Sequence, residues 1–158
     1  MRLEEAIQQH KFVSQQQKAF LNLFYLSGLM KSAQSRFFKQ HDLSPEQYNI
    51  LRILRGQYPS PASIGLLQDR MLDKMSNASR LVEKLKQKVL VTREECPKDR
   101  RQVEVLITKA GLDLLELLDP GIRRFETDFR GLNEEELIQL NELLDKLSDG
   151  FELDENFK

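Results

Sequence analysis

The chain has 158 residues, of which 40% are hydrophobic, 31% are charged and one is cysteine, and its net charge is −1. These values fit one folded domain over residues 1–158 and exclude a disordered chain, a membrane span of about 18 or more apolar residues and a disulfide-stabilised domain. Because the mixed charge at the N-terminus does not match a secretory signal, we expect a cytoplasmic protein.

The N-terminal third of the sequence predicts two helices. From about Ser14 to Gln40, apolar residues recur at helical spacing over a wide stripe. The second helix begins after Ser44, because this serine is followed by Pro45 at N1 and Gln47 at N3, which together form a capping box. We expect this helix to stop before Pro59.

A short third helix and a longer fourth helix follow in the prediction. Ser60 and Pro61 repeat the start signal for the third helix. The fourth runs from about Asp73 to Lys88 and is amphipathic, with its apolar stripe at Met75, Ala78, Leu81, Val82 and Leu85.

The opposite face of the fourth helix has the chemistry of a DNA-reading surface. It is small and polar near the start and cationic further on, so it suits the major groove, where Asn pairs with adenine, Arg pairs with guanine, and Ser and Lys bind phosphates. An ordinary solvated helix face is the alternative. The candidate DNA-binding residues here are Lys74, Ser76, Asn77, Ser79, Arg80 and Lys84.

After this helix, apolar residues recur at every second position instead of at helical spacing, which predicts a β-hairpin. Val103, Val105 and Ile107 alternate with other residues after a polar tip that includes Lys98, Arg100 and Arg101. Arginine at such a tip suits the minor groove. Asp99 would orient a neighbouring arginine, or it would only form the turn.

Two helices close the predicted fold. Thr108 can cap a fifth helix, which Pro120 with Gly121 should kink or break. Asn133 and the acidic residues after it begin a last, leucine-rich helix.

Charge is unevenly divided along the chain. Residues 70–109 hold 11 Lys/Arg and 6 Asp/Glu, whereas residues 110–158 hold 5 Lys/Arg and 14 Asp/Glu. The fold class is therefore mainly α with a small β-hairpin wing, built on a winged helix-turn-helix core at about 44–108.

Three segments resemble the MarR family of bacterial transcriptional regulators. They are Ser79–Leu85, Leu90–Arg93 and the stretch from Asp99 through Arg101 and Thr108 to Gly111. The resemblance implies a ligand-responsive repressor that binds a pseudo-palindromic operator as a homodimer, with residues 1–40 and 109–158 forming the dimerisation helices. It places Arg101 against DNA and makes Asp99 its orienting partner.

One position departs from the family pattern. Val89 stands where the family usually has glycine after the recognition helix. Because valine does not readily adopt a left-handed conformation, we expect either a different helix ending or a shifted wing.

Other functions have weaker support in the sequence. The resemblance implies a pocket for a small aromatic effector near Phe24, Tyr25 and Tyr48, although core or dimer packing is the favoured explanation for any one of these residues. A winged-helix protein-interaction module and an oxidant sensor based on Cys96 are the alternative functions. We see no nucleophile–base pair, phosphate loop or metal-ligand spacing, so we expect neither an enzyme nor a cofactor.

Overall fold

The computed structural model describes residues 2–95, 103–127 and 131–150. The chain divides into two compact units, Met1–Leu117 and Leu118–Lys158. No helix in the described ranges is long and apolar enough to cross a membrane. In chain order the elements are α1 (Leu3–Ala6), α2 (Gln15–Lys39), α3 (Pro45–Gln57), β1 (Ala62–Ser63), α4 (Ile64–Arg70), α5 (Ala78–Gln87), β2 (Val91–Glu95), β3 (Val103–Ile107), α6 (Lys109–Thr127) and α7 (Glu134–Asp149).

Side-chain caps determine where most helices begin. The Ser14 side chain accepts a hydrogen bond from the backbone of Gln17 at the start of α2. Ser44 and Gln47 form the predicted reciprocal capping box at the start of α3. Asn133 and Glu136 do the same for α7. Each cap satisfies backbone donors that a helix end leaves free.

The third predicted helix begins later than expected. The cap of α4 is Ser63, whose hydroxyl accepts from the backbone N–H of Leu66 at 3.1 Å, and not Ser60. The intervening pair Ala62–Ser63 forms β1, which pairs with β3. A two-residue strand carries no periodicity, so the sequence pattern did not indicate it.

The predicted hairpin is confirmed and belongs to a three-stranded antiparallel sheet in the order β1-β3-β2. Val91 pairs with Ile107 at one end of the hairpin, and Glu95 pairs with Val103 at the other. Val105 is fully buried at the centre, where it also opposes Ala62 of β1. The sheet therefore closes one side of the first unit's core.

The core of the first unit lies between α3, α5 and the sheet, which make most of the contacts among elements. Burial of these aliphatic side chains supplies the main driving force for folding. The fully or almost fully buried residues of this unit include Phe38, Ile50, Leu51, Leu54, Leu67, Met71, Val82, Leu85, Val105 and Leu115.

One expectation about a helix boundary was wrong, and one of the two outcomes expected at Pro120, a break, is excluded. The fourth predicted helix, α5, begins at Ala78 rather than near Asp73, so Met75 lies outside the helix and is 93% exposed. Pro120 does not break the fifth predicted helix, because α6 is continuous from Lys109 to Thr127. Proline removes a single backbone donor, and the helical turns on either side of Pro120 persist without it.

Candidate nucleic-acid interface

The connection between α4 and α5 is held from two directions by amides. Asn49 of α3 is buried, and its Oδ1 accepts from the backbone N–H of Leu72 at 2.9 Å. Gln68 of α4 donates to the carbonyl of Lys74 and accepts from the N–H of Ala78, both at 3.1 Å. These bonds fix the angle at which α5 leaves the turn.

The sequence pattern did not single out Asn49 or Gln68, because a polar residue inside an amphipathic helix has no distinguishing spacing. Asn49 could still have been found from its surroundings, because it lies in the middle of the apolar run of α3. A buried amide in such a position needs hydrogen-bond partners and therefore tends to have a structural task.

The turn before α5 is organised by Asp73. Its carboxylate accepts from the N–H of Met75 at 3.0 Å and from the hydroxyl of Ser76 at 3.1 Å. The ammonium of Lys74 bonds to the carbonyl of Asp69. Lys74 and Ser76, both predicted to lie on the helix face, thus occupy a structured turn that leads into the helix.

Asn77 is the N-cap of α5. Its Oδ1 accepts from the backbone N–H of Arg80 at 2.9 Å. An Asn that reads adenine in two-point fashion needs its amide oxygen and nitrogen together, so this cap competes with the role predicted from the sequence. Ser79 and Arg80 follow in the first turn with exposed side chains.

The end of α5 corrects one expectation. Val89 has a φ of 59°, its N–H bonds to Lys86, and the N–H of Leu90 bonds to Leu85 at 3.0 Å. This is the Schellman ending that glycine usually permits. The helix therefore does not end by a different geometry; instead, Val89 adopts the left-handed conformation despite its β-branched side chain.

A compact joint connects this helix end to α6. The Thr108 hydroxyl donates to the carbonyl of Val89 at 2.9 Å and accepts from the N–H of Gly111 at 3.1 Å. The Thr108 N–H bonds to the Leu90 carbonyl. A Cβ on Gly111 would lie 2.4 Å from that carbonyl oxygen, so the joint requires glycine at this position.

An ion pair connects α5 to the hairpin. Arg93 of β2 lies 2.9 Å from the carboxylate of Glu83. Both side chains are partly exposed, so the pair contributes little to stability, but it restricts where the strand can lie relative to the helix. The predicted wing-tip residues Lys98, Asp99, Arg100 and Arg101, together with Cys96, lie outside the described residues.

The aromatic residues predicted to line an effector pocket are not brought together. Phe24 is 68% exposed and contacts Phe20. Tyr48 instead stacks on Phe38, with 4.6 Å between the two ring centroids. Phe24 and Phe38 are both on α2, 14 positions apart, which corresponds to about 21 Å along the helix. Tyr25 follows Phe24 in α2 and is therefore similarly far from Phe38 along the helix.

Two pKa shifts lie in α1 and at the start of α6. A hydrogen bond from Lys18 lowers the pKa of Glu4, and a hydrogen bond to Asp113 raises the pKa of Lys109. Among the described residues, no three His, Cys, Asp or Glu side chains form a group that could hold a metal ion.

Similarity to known proteins decides the family. A family model described as MarR family matches residues 41–102, which include the whole helix-turn-helix. A MarR transcription factor from Planctomyces limnophilus is 35% identical in its crystal structure, with a TM-score of 0.67 over 85% of this chain and 98% of that one. The chain belongs to the MarR family.

Two further relatives of this MarR-family protein have named functions. The HTH-type transcriptional repressor IacR of Pseudomonas putida is 29% identical over 80% of this chain and 75% of its own length. BpsR of Bordetella bronchiseptica, whose DNA binding is regulated by 6-hydroxynicotinic acid, is 26% identical with a TM-score of 0.65 over 80% of this chain and 98% of its own.

Proposed function

We propose that this protein is a sequence-specific DNA-binding transcriptional repressor that acts as a homodimer and responds to a small ligand. The observation that carries the proposal is the polar, cationic start of α5, held at a fixed angle by Asn49 and Gln68. Ser79 and Arg80 are exposed there and available to base edges and phosphates.

The dimer is proposed from exposed apolar side chains within each unit. On α2, Phe24 is 68% exposed, and its neighbours on that helix are about half exposed. On α7, Leu143 is 65% exposed. Such apolar surface on a soluble helix is normally covered by another chain. The partly exposed residues are Phe20, Leu23, Leu26, Leu29 and Met30 on α2, and Ile138, Leu144 and Leu147 on α7.

The proposed division of the chain follows from these surfaces. Residues 44–108 form the winged-helix DNA-binding core, and residues 1–40 and 109–158 supply the dimerisation helices. A dimer with two recognition helices would place them in successive major grooves about 34–36 Å apart. The wing cations Lys98, Arg100 and Arg101 would then contact the backbone or the minor groove, with Asp99 orienting Arg101.

Selection of bound sequences from random duplex DNA tests the proposal directly. A two-fold symmetric consensus with half-sites one helical turn apart is the expected result. An absence of enrichment would favour a protein-interaction module instead.

A matched pair of variants tests the assigned face. Arg80→Ala should weaken binding to the selected duplex by about 5- to 150-fold, because a base-edge arginine contributes about 1–3 kcal/mol. Arg52→Ala changes an exposed arginine on α3 and should have little effect. Equal effects of the two changes would contradict the assignment of α5 as the recognition helix.

A further inference from the structure

The turn between α4 and α5 presents two apolar side chains to solvent. Met75 is 93% exposed, and Leu72, three positions earlier in the same turn, is 82% exposed. In the part of the chain that the structure describes, Val13 is the one other large apolar residue that is more than four-fifths exposed. Leu72 and Met75 therefore form an unusually exposed apolar surface, which we call the apolar tip.

Hydrogen bonds fix the backbone of the apolar tip. The N–H of Leu72 donates to the buried Asn49 at 2.9 Å, and the N–H of Met75 donates to the carboxylate of Asp73 at 3.0 Å. The carbonyl oxygen in the same peptide unit as the Met75 N–H accepts from Gln68 at 3.1 Å. The two side chains are thus exposed by an ordered turn and not by a frayed helix end.

The apolar tip is continuous with the surface assigned to DNA. Met75 lies two positions before Asn77, the N-cap of α5. Residues at the N-terminal end of a recognition helix are those that contact base edges in the major groove. The tip also lies outside the proposed dimerisation segments 1–40 and 109–158, so the proposed dimer contacts do not account for its exposure.

The chemistry of the tip favours a base edge over a phosphate. Leu72 and Met75 carry no charge, and the carboxylate of Asp73 lies between them in the turn and would repel a phosphate. Among the groups that base pairs present in the major groove, the apolar one is the C5-methyl group of thymine. A flexible methionine side chain adapts readily to such a surface.

We propose that the apolar tip packs against the C5-methyl group of thymine in the major groove and so selects thymine at a defined position of each half-site. The proposal rests on the proposed DNA-binding function and deepens it by naming a base and the residues that recognise it. It adds an apolar contact to the polar contacts expected from Ser79 and Arg80.

Uracil scanning of the selected duplex tests the contact. Deoxyuridine in place of thymidine removes the C5-methyl group and keeps the O4 acceptor and the base pair. Each thymine of one half-site is replaced in turn, and affinity is measured with the full-length protein. We expect at least one position where affinity falls by about fourfold, the effect of losing one buried methyl group. A duplex without such a position would overturn the proposal.

Variants show whether the apolar tip senses the methyl group. With Leu72→Ala and Met75→Ala combined, the thymine and uracil duplexes should bind equally. Both side chains are exposed, so the fold should persist. Val13→Ala is the matched control, because it shortens an equally exposed apolar residue far from α5 and should retain the fourfold difference. If the double variant kept that difference, uracil would act through DNA shape and the proposal would be wrong.

Substitution of Met75 alone separates apolar contact from side-chain size. Met75→Leu keeps an apolar side chain and should retain a preference for thymine over uracil. Met75→Gln has a similar length but a polar end and should reduce this preference. Equal preferences in the two variants would overturn the assignment of Met75 to the methyl group.

Salt dependence separates the apolar contact from phosphate contacts. The double variant loses no charge, so the slope of log affinity against log salt should match that of the unmodified protein. A flatter slope would show that the substitutions disturb phosphate contacts and would overturn the assignment. If no duplex were enriched by selection, the proposed function itself would fail. An enriched duplex without a methyl-sensitive position would overturn only the thymine contact.

Discussion

The hydroxyl of Thr108 donates a 2.9 Å hydrogen bond to the carbonyl oxygen of Val89, a residue in the left-handed region of backbone space. This bond connects the N-cap of α6 to the Schellman ending of α5. Leu85 and Leu90, on either side of that ending, are both buried. The buried pair and the hydrogen bond hold Val89 in a conformation that its side chain disfavours.

Val89→Gly should therefore stabilise the protein. Relief of the left-handed strain gains about 1–2 kcal/mol, and the extra freedom of glycine in the unfolded chain takes back about 0.5–1 kcal/mol. Little apolar burial is lost because Val89 is 68% exposed. Urea unfolding at fixed protein concentration should show a free energy of unfolding higher by about 0.5–1 kcal/mol.

Lys86→Gly is the control for this change. Lys86 is an exposed residue within α5, where glycine should lower stability by about 1 kcal/mol. The two glycine substitutions, three positions apart, should thus have opposite signs. Loss of stability in both variants would show that Val89 is not strained.

Gly111→Ala should have the opposite effect to Val89→Gly at the same joint. The added Cβ would lie 2.4 Å from the carbonyl oxygen of Leu90 and 2.7 Å from Cγ1 of Ile107. Backbone must move to accept it, at about 1–3 kcal/mol of stability. We also expect weaker DNA binding, because the start of the wing would be displaced from α5.

Gly56→Ala provides the matched control for Gly111→Ala. A Cβ at Gly56, in α3, would have nothing within 4 Å. Alanine favours a helix by up to about 1 kcal/mol relative to glycine, so stability should stay equal or rise. Thermal unfolding of both variants at one concentration measures the contrast, and a neutral Gly111→Ala would contradict the close approach.

Local signals explain what the sequence predicted well. The caps at Ser44 and Asn133 involve residues three positions apart, so their spacing can be recognised without knowing the fold. The alternation of Val103, Val105 and Ile107 similarly identified β3. Of these segments, the family resemblance covered the one that contains β3, and it implied the same fold.

Distant contacts explain what the sequence did not predict. Two cap-forming residues, Asp73 and Asn77, compete to begin α5, and the choice depends on bonds from Gln68 and Asn49 elsewhere in the chain. The ending at Val89 likewise depends on buried neighbours that outweigh local preference.

Glu83→Gln should reveal what the ion pair with Arg93 does. Removing a negative charge would raise DNA affinity if long-range attraction were its main effect. We expect affinity for the selected duplex to fall instead, because Arg93 loses the carboxylate that holds β2 near α5. Fluorescence anisotropy with labelled duplex at two salt concentrations measures whether DNA affinity rises or falls.

Glu94→Gln separates positioning from charge in this test. Glu94 is an exposed residue of the same hairpin and pairs with Glu104 on the opposite strand. The substitution Glu94→Gln removes the same charge as Glu83→Gln. It should leave affinity unchanged or raise it, since like charges across a strand pair are unfavourable. If Glu83→Gln raised affinity as Glu94→Gln does, the ion pair would have no role in placing the wing.

Asn77 offers the sharpest distinction between holding the recognition helix and reading DNA. Asn77→Ala removes the acceptor for the Arg80 N–H and should lower the free energy of unfolding by about 1 kcal/mol and weaken DNA binding. Asn77→Ser keeps an N-cap oxygen but lacks the two-point amide that adenine would need. Because Oδ1 already caps α5, we expect Asn77→Ser to restore both stability and the selected consensus. A serine variant with normal stability but a lost preference for adenine would show that Asn77 leaves its cap and reads the base.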